Sequence, residues 1–159
     1  MYRRILLAYD GSLAGRQALG EGALLAKQCG AQVFLLSVVA ETPGMRIGET
    51  GFAGAMVSNA ESYKAVFDEG VARLREFGFE CKAKLVTGEP TQEIGAYARE
   101  IDADLVVVGH RKQSLLSRWW SGSVGAYLAD NVSCSILISR MILTPEIREA
   151  ELKRREGKR

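Results

Sequence analysis

Apolar residues along this chain fall into two kinds of pattern, short unbroken runs and helical stripes, and the two alternate. Ile5-Leu6-Leu7-Ala8-Tyr9 is an unbroken run, the form of a strand covered on both faces, and Asp10-Gly11-Ser12 ends it with turn residues. Ser12 is placed to cap the helix that follows. Leu13, Ala18, Leu19, Leu24 and Leu25 give that helix an apolar face, and Cys29-Gly30 stops it. Val33 to Val39 predicts a second buried strand. Glu41 to Val57 carries Pro43, Gly44, Gly48, Gly51 and Gly54 with little periodicity, which predicts a long connection. From Ser58 a helix resumes, with Tyr63, Val66, Val71 and Leu74 near one face and Gly78 after it. Cys81 to Val86 alternates as a strand does, and Gly88-Glu89-Pro90-Thr91 predicts a turn that delivers Thr91 as a helix cap. That helix runs to about Ile101. Leu105 to Val108 is the next strand, Ser123 to Asn131 the next helix and Ser135 to Ser139 the last strand.

Strands alternating with helices at this spacing predict an α/β fold. Parallel neighbours need crossover connections, so the sheet is open and parallel with helices on both faces. Composition adds that 159 residues, 47% hydrophobic and 25% charged, suit one soluble globular domain. The net charge of +2 is uneven: from Arg140 to Arg159 seven basic residues face four acidic ones, a surplus of three that leaves the remainder at −1. The body is therefore no nucleic-acid polycation, and residues 141–159 form a basic tail, read as a solvated helix. Cys29, Cys81 and Cys134 are odd in number and widely spaced, which predicts buried reduced thiols rather than disulfides or a zinc site. The apolar run after Arg3-Arg4 ends at Asp10, too short for a secretion signal, and no stretch approaches a membrane span. A cytoplasmic location is expected.

Ligands of open parallel sheets bind beyond the carboxyl ends of the strands, where strand order reverses. Three such ends carry unusual residues: Asp10, Ser37-Val38-Val39, and Gly109 with the long segment to Gly122-Ser123. Gly109 permits close backbone approach, and Ser123 stands where a helix start would point free N–H groups at a phosphate. Between Leu105 and Ala129 there is no Asp or Glu, whereas Arg111, Lys112 and Arg118 are present, so the local field favours an anion. Two readings stay open on these features, a phosphate site and a solvated basic loop whose glycines make turns.

The same segment resembles the G-x2-G-x9-G-[ST] motif of nucleotide-binding universal stress proteins. Gly109, the nine residues from Gln113 to Ser121, and Gly122-Ser123 keep the frame, and Lys112 stands at the second glycine. ILLAYDGS at 5–12, LLSVV at 35–39, TGEPTQEIGAYA at 87–98 and ADLVVVGHR at 103–111 resemble blocks of that family in the same order. The resemblance implies a universal stress protein domain over residues 1–140, with an open five-stranded parallel sheet, Rossmann-like and similar to the adenine nucleotide alpha hydrolases. It further implies a homodimer through the last strand and, in one branch of the family, a pocket for ATP, ADP or AMP with Mg2+ beside a triphosphate. By matching position, Asp10 would contact the adenosine end and Val38 the base. Gly109 would face ribose and phosphates, with Gly122, Ser123 and Val124 on the phosphate side. Lys112 departs from the motif. A replaced glycine with positive φ would cost lysine about 1 kcal/mol or more and reshape the loop; otherwise the ammonium reaches a phosphate. Family members without the glycine pattern are regarded as non-binders.

His110 is the sole histidine and has no evident nucleophile beside it, so a triad is not indicated. Trp119-Trp120 reads as a loop or interface anchor, and Asp102 and Asp104 as solvated carboxylates at the end of the sheet opposite the site. No Walker loop, zinc-protease motif or nucleophile elbow occurs. The expected function is a stress-response regulator that binds an adenine nucleotide and couples its occupancy to a protein partner, without dedicated catalysis. The alternatives are a nucleotide-free dimeric interaction protein and a slow ATPase leaning on Asp10 or His110.

Overall fold

The first buried run folds as β1, Arg4–Ala8, and lies in the middle of the sheet, which is why it carries no polar residue between Ile5 and Leu7. In the computed structural model, which describes residues 1–40, 53–110 and 124–140, five strands pair in the order β3-β2-β1-β4-β5, every pair parallel. The others are β2 (Gln32–Ala40), β3 (Lys82–Gly88), β4 (Leu105–Gly109) and β5 (Ser135–Ser139), interleaved with α1 (Leu13–Cys29), α2 (Ala53–Glu76), α3 (Pro90–Glu100) and α4 (Val124–Asn131).

Side-chain alternation in the strands divides the core into two layers. Ile5, Leu7, Tyr9, Val33, Leu35, Leu105 and Val107 pack with α1 and with Leu74 and Phe77 at the end of α2. Leu6, Phe34, Leu36, Val106 and Val108 turn the other way, onto Ile94, Tyr97 and Ala98 of α3 and onto Leu128 and Val132 at α4. Helix α1 sits close against the sheet because it has Gly22 there: a β-carbon at that position would lie 2.4 Å from the Leu7 side chain. The Ser12 hydroxyl accepts from the Gly15 amide at one end of α1, and Gly30, at φ 64°, turns the chain out of the other.

Several boundaries differ from the sequence expectation. Helix α2 begins at Ala53, not Ser58, and so runs through Gly54, the last glycine of the expected connection; residues 41–52 of that connection lie outside the described residues. Along α2, Tyr63 is exposed and Leu74 is the buried member of the apolar set. The cap of α3 is Glu89 rather than Thr91. Pro90, with its fixed φ, starts the helix, the Glu89 carboxylate accepts from the Gln92 amide at 2.9 Å, and Thr91 inside the first turn donates its hydroxyl to the same carboxylate. Cys29, Cys81 and Cys134 are free but only half-buried. Burial still pushes the Cys81 and Cys134 thiols above the usual range, so both stay protonated and weakly reactive near neutrality.

Of the two carboxylates expected to be solvated, Asp104 is structural and Asp102 is exposed. Asp104 accepts from the Arg3 amide at 2.7 Å and the Arg4 amide at 3.1 Å, while its own N–H donates to the Arg4 carbonyl at 3.0 Å. Asp102 pairs with the Arg4 guanidinium at 3.2 Å and has a left-handed backbone, φ 48°. One end of the β1–β4 seam is thereby laced shut. The basic tail, residues 141–159, lies outside the described residues.

Candidate functional site

The other end of that seam opens. Pairing of β1 with β4 stops at Leu7 opposite Val107, but β1 stays with β2 through Ala8 opposite Leu36. The Tyr9 amide then donates to the Leu36 carbonyl at 2.9 Å, and the buried Ser37 hydroxyl donates to the Tyr9 carbonyl at 2.9 Å. Strand β4 leans the opposite way. Gly109 stays opposite Ser139, and the His110 amide donates to the Ser139 carbonyl at 3.0 Å. With β1 drawn toward β2 and β4 toward β5, the two strands part where strand order reverses, the place at which open parallel sheets form a ligand crevice.

Its walls are backbone. Gly109 faces the first turn of α1 so closely that a β-carbon on it would lie 2.5 Å from the Ala14 carbonyl carbon and oxygen and 2.8 Å from the Gly15 amide nitrogen. Gly11, at φ 73°, turns the chain from β1 toward α1 under Val66 of α2. Asp10 is exposed at the lip. Its Oδ1 accepts from the Ser12 amide at 2.9 Å and the Ser12 hydroxyl at 2.6 Å, and no bond to Oδ2 occurs among the described residues.

Four of the site residues named from sequence fall on described elements. Asp10 follows β1, Gly109 ends β4, and Val124 is the first residue of α4. Half-buried Val38 stands near the end of β2, opposite Val86, and packs against the α3 layer. Lys112, Gly122 and Ser123, like Trp119 and Trp120, lie outside the described residues. Ser37, grouped with Val38 as an unusual strand end, is committed to the Tyr9 carbonyl and is structural. Sequence reasoning missed Gly15, whose role has no local signature because its backbone is ordinary helix.

Beside the crevice, on the seam of α1 and α2, an ion cluster fixes the two helices to each other. Glu69 takes the Arg16 guanidinium through two bonds, 2.9 and 3.1 Å, and Arg73 through Nε at 2.8 Å. The Arg16 contact is the main reason the Glu69 carboxyl is held below its usual range, and the same contact raises Arg16. The neighbouring Tyr9 hydroxyl is buried and makes no hydrogen bond of good geometry. Arg16 lies near enough to favour its ionised form, but burial prevails and pushes the phenol upward.

An open parallel α/β domain with a glycine-walled crevice at its switch point defines the class. Within that class the family sequence model of universal stress proteins matches residues 1–140, and the chain belongs to the universal stress protein family. A relative, universal stress protein Sll1388 of Synechocystis, is 27% identical over 149 residues, covering 86% of this chain and 97% of the relative. Among solved structures, a universal stress protein in complex with cAMP superposes with a TM-score of 0.65 at 22% identity, over 89% of this chain and 99% of that one. The universal stress protein from Archaeoglobus fulgidus in complex with dAMP gives 0.61 at 23% identity, over 86% and 97%. Among the described residues no helix is long and apolar enough to cross a membrane.

Proposed function

We propose that the crevice between β1 and β4 binds an adenine nucleotide and that occupancy regulates a partner protein in a stress response. The observation that carries this reading is the divergence of the two strands beyond Leu7 and Val107, with an exposed carboxylate, one oxygen of which has no bond among the described residues, at the end of β1. The two solved relatives hold cAMP and dAMP, which share adenine, a pentose and one phosphate. Asp10 Oδ2 is an acceptor for a hydroxyl or amine, Val38 supplies an apolar wall near the base, and Gly109, whose missing side chain lets α1 pack close to the end of β4, is assigned the ribose and phosphates. Lys112, Gly122, Ser123 and the start of α4 at Val124 are assigned the phosphate side, where a helix N-terminus favours negative charge. If the nucleotide is a triphosphate, Mg2+ accompanies it on the phosphate oxygens.

The chemistry of these residues fits such a ligand, since the exposed Asp10 carboxylate is an acceptor at the end of β1, close to where β1 and β4 part. We assign residues 1–140 to the nucleotide domain, 141–159 to a basic appendage, and the whole to the cytoplasm without affinity for nucleic acid. A homodimer through β5 is part of the proposal. That strand is an edge of the sheet and exposes 41% of Ile138.

Calorimetric titration of the full chain with AMP and with Mg-ATP, alongside Lys112→Gly, tests the reading. Micromolar binding by the natural chain is expected. Binding by Lys112→Gly alone would instead favour the nucleotide-free interaction protein, since Lys112 would then close the site.

A further inference from the structure

We propose that Gly15 is a positioning residue of this site: its missing β-carbon is the space in which the Asp10 carboxylate is held. The inference rests on the nucleotide reading above and adds a residue to it. Gly15 is the third residue of α1, is buried, and has no left-handed backbone, so conformation does not require glycine there. A helix loses up to about 1 kcal/mol by carrying glycine in place of alanine. The N–H that Gly15 donates to the Ser12 hydroxyl, at 2.9 Å, is available from almost any residue. What the absent side chain does provide is room. A β-carbon at 15 would lie 2.3 Å from Asp10 Oδ1 and 3.2 Å from the Ser12 hydroxyl oxygen.

The contrast with other glycines shows what would give way. At Gly109 the obstacle is the Ala14 backbone, and at Gly22 it is the packed Leu7 side chain. At Gly15 it is the far end of an exposed side chain, which can turn aside once its bonds from Ser12 are given up. A side chain at 15 therefore leaves the fold standing and expels the carboxylate. Oδ1 loses its two bonds from Ser12, and Oδ2 is no longer held in a fixed place. Gly15 also sits against the opposite wall, its amide nitrogen beside Gly109. Fixing Asp10 before the ligand arrives spares the ordering cost of a free carboxylate at binding.

The test uses Gly15→Ala, Asp10→Ala and the double variant, with Gly15→Ser as a second substitution. In each, the Ser12 amide is followed by heteronuclear NMR and AMP affinity by calorimetry, after circular dichroism has checked the fold. Gly15→Ala is expected to move the Ser12 amide resonance and speed its exchange as Asp10→Ala does. AMP affinity should fall about tenfold, the scale of one hydrogen bond to a charged group, and Gly15→Ala should have no further effect once Asp10 is alanine. A purely structural role would lower affinity equally in both backgrounds, and that result, or an unmoved Ser12 amide in a folded Gly15 variant, overturns the proposal. If the natural chain binds neither AMP nor Mg-ATP, the nucleotide reading fails and the site role of Gly15 falls with it. The Ser12 amide would then still report whether Gly15 sets Asp10.

Discussion

The two ends of the β1–β4 seam are built from the same strands and treated oppositely. At the amino end, Asp104 receives two successive main-chain amides and returns its own N–H, and the Arg4 side chain reaches the Ile101 carbonyl at 3.1 Å as well as Asp102. At the carboxyl end the strands part, each bonding to its outer neighbour, and one oxygen of Asp10 has no bond among the described residues. An acidic residue thus serves closure at one end and, in the function proposed above, ligand contact at the other. Position on the strand, more than residue type, decides between them: Asp104 meets a main-chain amide with each of its oxygens, whereas Asp10, beyond the last ladder pair, spends one oxygen on Ser12 and keeps the other.

Substitutions at each end should break this contrast in different ways. The largest effect is expected for Gly109→Ala, whose β-carbon would meet the Ala14 carbonyl, backbone that cannot rotate aside. Overpacking of that kind costs about 3 kcal/mol, and it should also abolish nucleotide binding because α1 and β4 are forced apart. Urea unfolding and calorimetry read the two losses. Asp104→Ala removes the acceptor of two amides and should cost about 2 kcal/mol, less than for a buried site since water can replace it. Its AMP affinity should stay within about twofold of the natural chain. A large loss of affinity from Asp104→Ala would mean that the ends are coupled and the contrast is not a division of labour.

The carboxyl end was legible in sequence where local pattern and general topology agree. Asp10 and Gly109 end buried apolar runs, and such ends are where parallel sheets bind ligands. The amino end was not legible. Asp104 meets Arg3 and Arg4 across about a hundred residues of chain, and nothing in the local spelling distinguishes it from a solvated aspartate. The Arg16–Glu69 pair is hidden in the same way, by fifty-three positions. The Glu89 cap was missed for a local reason, since threonine is the commoner cap and the proline between them had to be read as the first helical residue. Gly15 escaped because a glycine within a helical stripe reads as a weak helix former, and its cause, the Asp10 carboxylate, is visible only in three dimensions.

Glu69→Gln sharpens the comparison from the side, by loosening α2 beside the open end while the laced end is untouched. Glu69 is held low by Arg16 and Arg73, so its folded-state pKa lies below the unfolded one. The stabilisation is therefore present above about pH 4.5 and is lost as pH falls through the folded value. At pH 7 the variant should be about 1 kcal/mol less stable, a modest figure because the partners are partly exposed. At acid pH, once Glu69 is protonated in the folded protein, the gap between the unfolding midpoints should close. A gap that persists there would assign the effect to packing, not charge.

The smallest expected effect is at Asp102, and its sign is the informative part. The residue holds a left-handed backbone at φ 48°, which costs an aspartate less than most residues but more than glycine. It also pairs with Arg4, but its side chain is 86% exposed, where an ion pair contributes little. If lacing at this end resides in the Asp104 main-chain bonds, Asp102→Gly trades a weak pair for relieved strain. The variant should be equal to the natural chain or up to about 0.5 kcal/mol more stable in urea. A loss above about 1 kcal/mol would move the closure of this end from main-chain amides to the Arg4 side chain, and Arg4→Ala should then reproduce it.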